Sequence, residues 1–355
     1  METIKILGAG PAGLSAAINL AKAGYDVEIF EKNEDVGGRF HGDFQGLENW
    51  SDDEDVLSCF KNMNIDINFE CTPFSKLSIS NESKKWDFNC SRPAFYLIKR
   101  GNGEESLDQG LKNQAQDIGV NIHFKETIPE NEANIIATGP IKKELFAAAK
   151  GITFETSSSN LAVGLVNNES ALNGYSYLLI SEGHGCMTTV LFNNFNDINS
   201  CFEDTKGFFN SNFDLDLKKL SYMGGIGSFS SKNIFKCGKS LYVGEAAGLQ
   251  DFLWGFGIKS ALMSGYLAAK SISDGENYEK IAEEFFKKKT TAGLVNRYLW
   301  ERFSFMDYSF IINRIHGSKD PLKFLNYFYN ANLVHKMVYP LAMRYLQRKY
   351  KGLRL

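Results

Sequence analysis

Apolar residues follow two periods along the chain, and the changes between them mark its organisation. Ile4, Ile6 and Leu7 form a short apolar run, the pattern of a strand covered on both faces. Leu14 to Lys22 continues as a helix of small residues, Gly24 ends it, and Val27 to Phe30 forms a second strand. Within Ser106 to Ile118, Leu107, Leu111, Ala115 and Ile118 recur at core helical spacing. Val120 to Phe124 then predicts a third parallel strand, and Asn134-Ile-Ile-Ala-Thr-Gly-Pro a further buried strand ending in a tight turn.

Two stretches alternate with period two instead. Ile65 to Ile98 holds the runs Phe74–Ile79, Trp86–Cys90 and Phe95–Ile98, split by Asn-Glu-Ser and Ser-Arg-Pro, which predict antiparallel strands. Ile152 to Phe229 carries Leu161–Val166, Tyr175–Ser181, Cys186–Phe192 and Met223–Phe229, expected as a second antiparallel sheet with a helical excursion over Asp197 to Lys219. Tyr175, Tyr177 and their neighbours to Ile180 alternate, so one face of that strand is available to line a pocket. The acidic cluster Ser51 to Asp55 suits a helix N-terminus through the macrodipole. Leu241 to Val243 is a strand, a helix starts near Gly257, and Tyr278 to Leu355 reads as almost wholly helical.

The first turn carries chemistry. Gly8, Gly10 and Gly13 make G-x-G-x-x-G between strand and helix. Gly8 provides the tight turn, Gly10 lets a pyrophosphate approach the backbone, and Gly13 brings the helix close to its strand. The helix N-terminus then faces phosphate. Glu31 closes the second strand eighteen residues after Gly13, near the spacing of about 20 expected of a carboxylate that binds ribose hydroxyls. A dinucleotide site follows. The fold class is α/β: a Rossmann-like domain with a parallel sheet over residues 1–72, 100–140 and 235–275, an inserted antiparallel-sheet substrate domain over 73–99 and 141–234, and a helical C-terminal region over 276–355.

Gly37-Gly38-Arg39 adds a second glycine pair right after the ribose carboxylate. With G-x-G-x-x-G and the terminal Glu, it resembles the N-terminal signature of the FAD-dependent oxidoreductase superfamily, especially amine oxidases and phytoene desaturases. Leu241 to Ala269 resembles the late FAD motif of geranylgeranyl reductases and aromatic-ring hydroxylases, G-D-A-A-G-x-x-x-P-x-x-G-x-G-I-x-x-A. Gly244, Ala246, Ala247, Gly248, Gly255, Gly257, Ile258 and Ala261 match it. Glu245 stands where Asp is usual, as in amine oxidases, and Phe252 stands where Pro is usual. Arg100-Gly, Ser106-Leu-Asp108-x-x-Leu111 and the run Ser264 to Ala269 look like the geranylgeranyl reductase branch, although Tyr175, Tyr177 and Ile180 match its substrate strand only in part.

The resemblance implies FAD. Its contacts are expected from Gly8, Gly10, Ala12, Gly13, Glu31 and Lys32 in the first half of the site. Gly38, Arg39, Arg100, Ile128, Thr138 and Gly139 are expected along its middle, and Glu245, Gly255, Gly257 and Ile258 at the flavin end. Phe252, Trp254 and Phe256 would form an apolar substrate wall. The helix starting at Gly257 would direct its positive end at the flavin and favour the anionic reduced form. The branch implies hydride transfer from reduced flavin to a carbon–carbon double bond of an isoprenoid or other apolar substrate. Such a step needs an acid within reach, and His41, Tyr175, Tyr177 and Cys186 are the candidates. The open alternatives are an amine oxidase- or desaturase-like dehydrogenase, supported by Gly37-Gly38-Arg39 and Glu245, and a flavin monooxygenase or halogenase.

Composition narrows the classes further. A net charge of −3 gives no reason to expect nucleic acid, and 28 Phe with 15 Tyr suggest a wide apolar cavity or aromatic-rich cores. Six cysteines with no C-x-x-C speak against a zinc site, so no metal is expected, and reduced thiols suit a cytoplasmic protein. No apolar run reaches the roughly 18 residues of a membrane span. Met1 to Leu20 holds the phosphate turn and is expected to be retained. The end from Arg344 to Leu355 carries Arg344, Arg348, Lys349, Lys351 and Arg354 without an acid, a pattern compatible with peripheral membrane contact. Gly224-Gly225-Ile-Gly227 lacks a following helix, so no second nucleotide domain is expected. Electrons would come from transient NAD(P)H or a ferredoxin-type carrier.

Overall fold

The computed structural model describes residues 3–140 and 145–350. Strand β1 (Ile4–Leu7) lies parallel between β2 (Val27–Glu31) and β9 (Ile135–Ile136), with Ile6 opposite Ile29 on one side and Ile135 on the other. β8 (Asn121–Phe124) and β16 (Ser240–Tyr242) extend this sheet in parallel, and β15 (Lys236–Cys237) closes its edge antiparallel, in the order β15-β16-β9-β1-β2-β8. Helix α1 (Pro11–Lys22) opens with Pro in its first turn, where the missing N–H costs nothing. Its small residues let α5 (Ile258–Asp274) cross at very short range. A Cβ on Gly265 would lie 2.1 Å from the Ala12 carbonyl, and Ser15 Oγ donates to the Leu262 carbonyl at 2.7 Å. The small residues of α5 therefore pack largely on α1.

The second sheet has the order β14-β10-β13-β12-β11-β5-β6. Its strands are β5 (Lys76–Ser80), β6 (Lys85–Asn89), β10 (Leu145–Glu155), β11 (Leu161–Leu165), β12 (Tyr175–Ser181), β13 (His184–Leu191) and β14 (Lys218–Ser228). Only the β11–β5 pair is parallel. Helix α4 (Ile198–Asn212) covers one face, burying Phe202 and Phe209 against Ile152, Leu178 and Met187. On β12, Ser176 turns to that face and hydrogen-bonds Thr205 at 2.7 Å, so Tyr175 and Tyr177 turn to the other.

A third, three-stranded sheet was not expected. β7 (Phe95–Lys99) pairs between β3 (Phe44–Glu48) and β4 (Cys71–Phe74), not with the large sheet. The segment 73–99 is divided between two sheets: β5 and β6 join the seven-stranded sheet, whereas β7 returns to pair with the segment after Arg39. All five β7 residues are buried, which suits a strand flanked on both edges and covered on both faces.

Helix α2 (Val56–Asn62) is capped by Asp55, which accepts from the Leu57 amide at 2.9 Å. α3 (Leu107–Asp117) completes the first core. The C-terminal region consists of α6 (Tyr278–Phe303), α7 (Ser309–His316), α8 (Pro321–Tyr329) and α9 (Leu333–Lys349). Two anchors join it to the sheets. Asp52 pairs with Lys259 of α5 at 2.5 Å and Lys289 of α6 at 2.9 Å, and Asn330 donates to the Ser51 carbonyl at 3.0 Å. Fully buried Arg297 of α6 pairs with Glu301 at 3.3 Å and stacks 4.2 Å above Phe192 of the loop after β13. Lys351 and Arg354 of the basic end lie outside the described residues.

Candidate active site

β1 delivers the chain into a turn only glycine can make. Gly8 has φ +105°, and a Cβ there would lie 2.4 Å from the Ala137 carbonyl of the crossing strand. Gly10 faces open space, with nothing within 4 Å of where its Cβ would be, which leaves room for phosphate against the backbone. Gly13 does not line this space. Its absent Cβ would meet the Gly8 carbonyl at 2.1 Å, so it sets the approach of helix to turn. Glu31 is buried and organises both flanks: Oε2 accepts from the Ala9 amide at 2.9 Å, and Oε1 from the Asn33 amide and Nδ2 at 2.9 and 2.7 Å. A carboxylate has about four lone-pair sites, so capacity remains for ribose hydroxyls. Ala12, Lys32, Gly38, Thr138 and Gly139 line the same space, but Ile128 packs behind it and Thr127 takes the wall.

The two glycine-rich motifs meet at the far end of the cradle. Arg39 donates to Glu245 at 2.9 Å and also to the Ile226 carbonyl, and the Ser228 amide donates to Glu245 at 3.0 Å. Burial pushes the Glu245 carboxyl above its ordinary range, with Arg39 opposing it. Gly255, Gly257 and Ile258 line the cavity here, and no side chain caps α5, leaving its first amides to a ligand. Arg100 reaches the lining, but its charge is committed: it grips Asp108 through two 2.9 Å hydrogen bonds and lies 4.0 Å over Phe40. It shapes the segment after Arg39.

Beyond this junction the same cavity, about 950 Å3 in all, opens into an apolar chamber. That volume is at the upper end of the roughly 300–1,000 Å3 usual for small-molecule sites. Tyr175 and Tyr177 line it, the Tyr175 hydroxyl donating to the Trp254 carbonyl at 2.5 Å, and burial raises both phenols well above their ordinary pKa. Trp254 and Phe256 form part of the wall. Phe252 does not: it is 1% exposed in a cluster with Phe146 and Phe229.

Two acid candidates also lie elsewhere. The His41 side chain is exposed and outside the lining, and only its amide points inward, to Asp43 at 3.0 Å. Cys186 is buried off the lining, and burial pushes its thiol up to about 12. Asp43, overlooked in the sequence, is 2% exposed and lines the chamber near Gln45. Burial raises its pKa, opposed by the His41 amide and by Arg100. Ala147, Ala148 and Ala149 of β10 and Gly224, Gly225 and Gly227 of β14 also form wall. Their signal was present as small residues clustered within strands, which leave space where bulkier side chains would fill it.

The residues present therefore fit FAD: a glycine turn open to phosphate, a buried carboxylate beside it, an uncapped helix start, and an apolar chamber continuous with them. A profile of the NAD(P)-binding Rossmann-like domain matches residues 6–45. Over 41 residues the chain is 51% identical to a 1-hydroxycarotenoid 3,4-desaturase from Flavobacterium sp. (strain P99-3), covering 12% of this chain and 8% of that protein. The chain spans 14% or less of the length of the curated relatives it matches first. Whole-chain likeness is structural. A geranylgeranyl bacteriochlorophyll reductase-like protein from Thermoplasma acidophilum superposes with TM-score 0.72 at 16% identity, over 98% of this chain and 99% of that one. The flavin-dependent brominase Bmp2 superposes with TM-score 0.66 at 14% identity, over 98% and 100%. The fold is that of the FAD-dependent oxidoreductases.

Proposed function

We propose that the chain uses FAD to reduce a carbon–carbon double bond of an isoprenoid or similarly apolar substrate, with electrons drawn from NAD(P)H or a ferredoxin-type carrier. One observation carries the reading: the phosphate turn at Gly8 to Gly10 and the chamber around Tyr175, Tyr177 and Trp254 belong to one uninterrupted cavity. Bound FAD would supply a hydride, which adds to one alkene carbon and requires a proton at the other. Asp43 is the group suited to hold that proton. It is a buried carboxyl on the chamber wall with a raised pKa, and burial disfavours its charged form. Tyr175 positions the Trp254 loop through its 2.5 Å hydrogen bond, and Tyr177 lines the wall beside it. Arg39 and Glu245 fix the flavin end by bridging the two motifs. An isoprenoid resides in lipid, so the reading includes peripheral contact between a cytoplasmic protein and a membrane.

A second direction is favoured by the 51% identity between the first motif and a carotenoid desaturase, which would make the same chamber the site of substrate oxidation. Anaerobic stopped-flow of the flavin-loaded protein with prenyl lipids separates the two. Reoxidation of the reduced protein by substrate supports reduction; bleaching of the oxidised protein by substrate supports the desaturase direction; neither response removes the isoprenoid reading.

A further inference from the structure

We propose that the exposed face of α9 docks onto an anionic lipid surface. This deepens the reading above, resting on it only for the cargo. Leu333, Met337 and Leu341 recur every four residues on one side of the helix and are 72%, 74% and 56% exposed. The same face continues through Arg344 and Arg348, with Lys336 at its edge, all three exposed. His335, Ala342 and Leu346 occupy the opposite side and are buried. None of the described ion pairs engages Lys336, Arg344 or Arg348, and α9 contains no Asp or Glu. Only Lys349 is neutralised, by Glu301 at 2.7 Å.

That distribution selects the partner. The chain as a whole carries −3, yet this face is purely cationic beside large apolar side chains. A second copy meeting it about a two-fold axis would bring the same cations together with no carboxylate between them. An anionic bilayer satisfies both halves of the face: apolar side chains enter the acyl boundary while Arg and Lys extend to the headgroups. Among the described residues no helix is long and apolar enough to cross the bilayer, so the contact is peripheral. The neighbouring helices connect the face to the chamber. Ile315 of α7 and Leu322 and Leu325 of α8 line the cavity, Tyr327 of α8 is exposed, and Asn332 at the start of α9 donates to the Tyr327 carbonyl at 3.1 Å. The apolar wall of the cavity and the start of α9 therefore share helix α8.

Co-sedimentation of the flavin-loaded full chain with phosphatidylcholine vesicles, with and without phosphatidylglycerol, tests this. The wild type should bind the anionic vesicles at least about tenfold more tightly than the neutral ones, and less well as salt rises. Met337→Glu with Leu341→Glu should weaken binding about tenfold or more, and Arg344→Glu with Arg348→Glu should abolish the anionic preference. Flavin content and melting temperature should be unchanged in both. Failure of the wild type to bind either vesicle, or binding that neither pair weakens, overturns the proposal. So does a dimer in solution that the Met337 and Leu341 substitutions dissociate. Flavin reoxidation by soluble prenyl substrate is measured separately, so loss of vesicle binding leaves the reductase reading intact.

Discussion

At Asp43 a carboxyl with 2% exposure faces an apolar chamber, and its raised pKa sets the sign of a pH effect. As a proton donor it works while protonated, so substrate reduction should be full at low pH and fall as pH rises through the raised value. Asp43→Asn should slow anaerobic reoxidation by about 10²-fold or more and abolish that limb, with flavin content retained; a wild-type rate with an intact limb would assign the proton elsewhere. Gly8 makes a sharper demand, since Ala there would place a Cβ 2.4 Å from the Ala137 carbonyl at φ +105°. Gly8→Ala should cost on the order of 1–3 kcal/mol and yield protein depleted of flavin, read by its visible absorbance. The turn at Gly8 was legible from the strand and helix on either side of it, but the Ala137 carbonyl that closes on it was not. The orientation at His41 was not legible: only Gly42 separates it from Asp43, and in a turn the sequence does not say which side chain points inward. Phe252, Trp254 and Phe256 likewise looked equivalent in the sequence, yet Phe252 packs into the core with Phe146 and Phe229 while the other two line the cavity.

Strands and helices with strong periodicity were readable one by one, but their partners were not. β7 forms a strand as the sequence suggests, yet it pairs with β3 and β4, because nothing local distinguishes one buried neighbour from another. The acidic run at Ser51 to Asp55 shows the same limit. It does precede a helix, capped by Asp55, but Asp52 serves as a clamp between that turn and helices α5 and α6. Burial pushes the Asp52 carboxyl up, and Lys289 and Lys259 outweigh it, holding the pKa down to about 2. A depressed folded pKa contributes stability above the unfolded value, lost as pH falls through the folded one. Asp52→Asn should therefore lower the melting temperature near neutrality and remove part of the acid-side loss between about pH 4 and pH 2. The side chain is 34% exposed, so solvent screening reduces the effect to on the order of 1 kcal/mol. Thermal melts of both proteins across that range check it; parallel curves would mean the clamp contributes nothing.

Across the whole molecule, the cavity is bounded by every layer: the turn after β1, the faces of β10, β12 and β14, the loop leading into α5, and α7 with α8. That convergence was legible only as an inference from chemistry, since two glycine motifs that recognise one dinucleotide must end up together. Arg39 and Glu245, 206 residues apart, are where they do. A ligand seated there touches elements that otherwise share few direct bonds, so it should couple their stabilities. Ligand bound only by the folded chain stabilises it by about 4 kcal/mol at a thousandfold excess over its Kd, which for a chain of this size amounts to several degrees of melting temperature. Removing flavin should therefore lower the melting temperature, and re-adding FAD should restore it. Hydrogen exchange should show where: protection lost together at Gly8 to Ala12, in the turn after β1, and at Gly224 to Gly227 of β14, which lie in different parts of the fold but on one cavity. Loss at the first segment alone would mean that the ligand stops at the nucleotide cradle and leaves the chamber empty. Glu245→Gln removes the charge that Arg39 meets between the two motifs, and in it the two segments should lose protection independently even with FAD present.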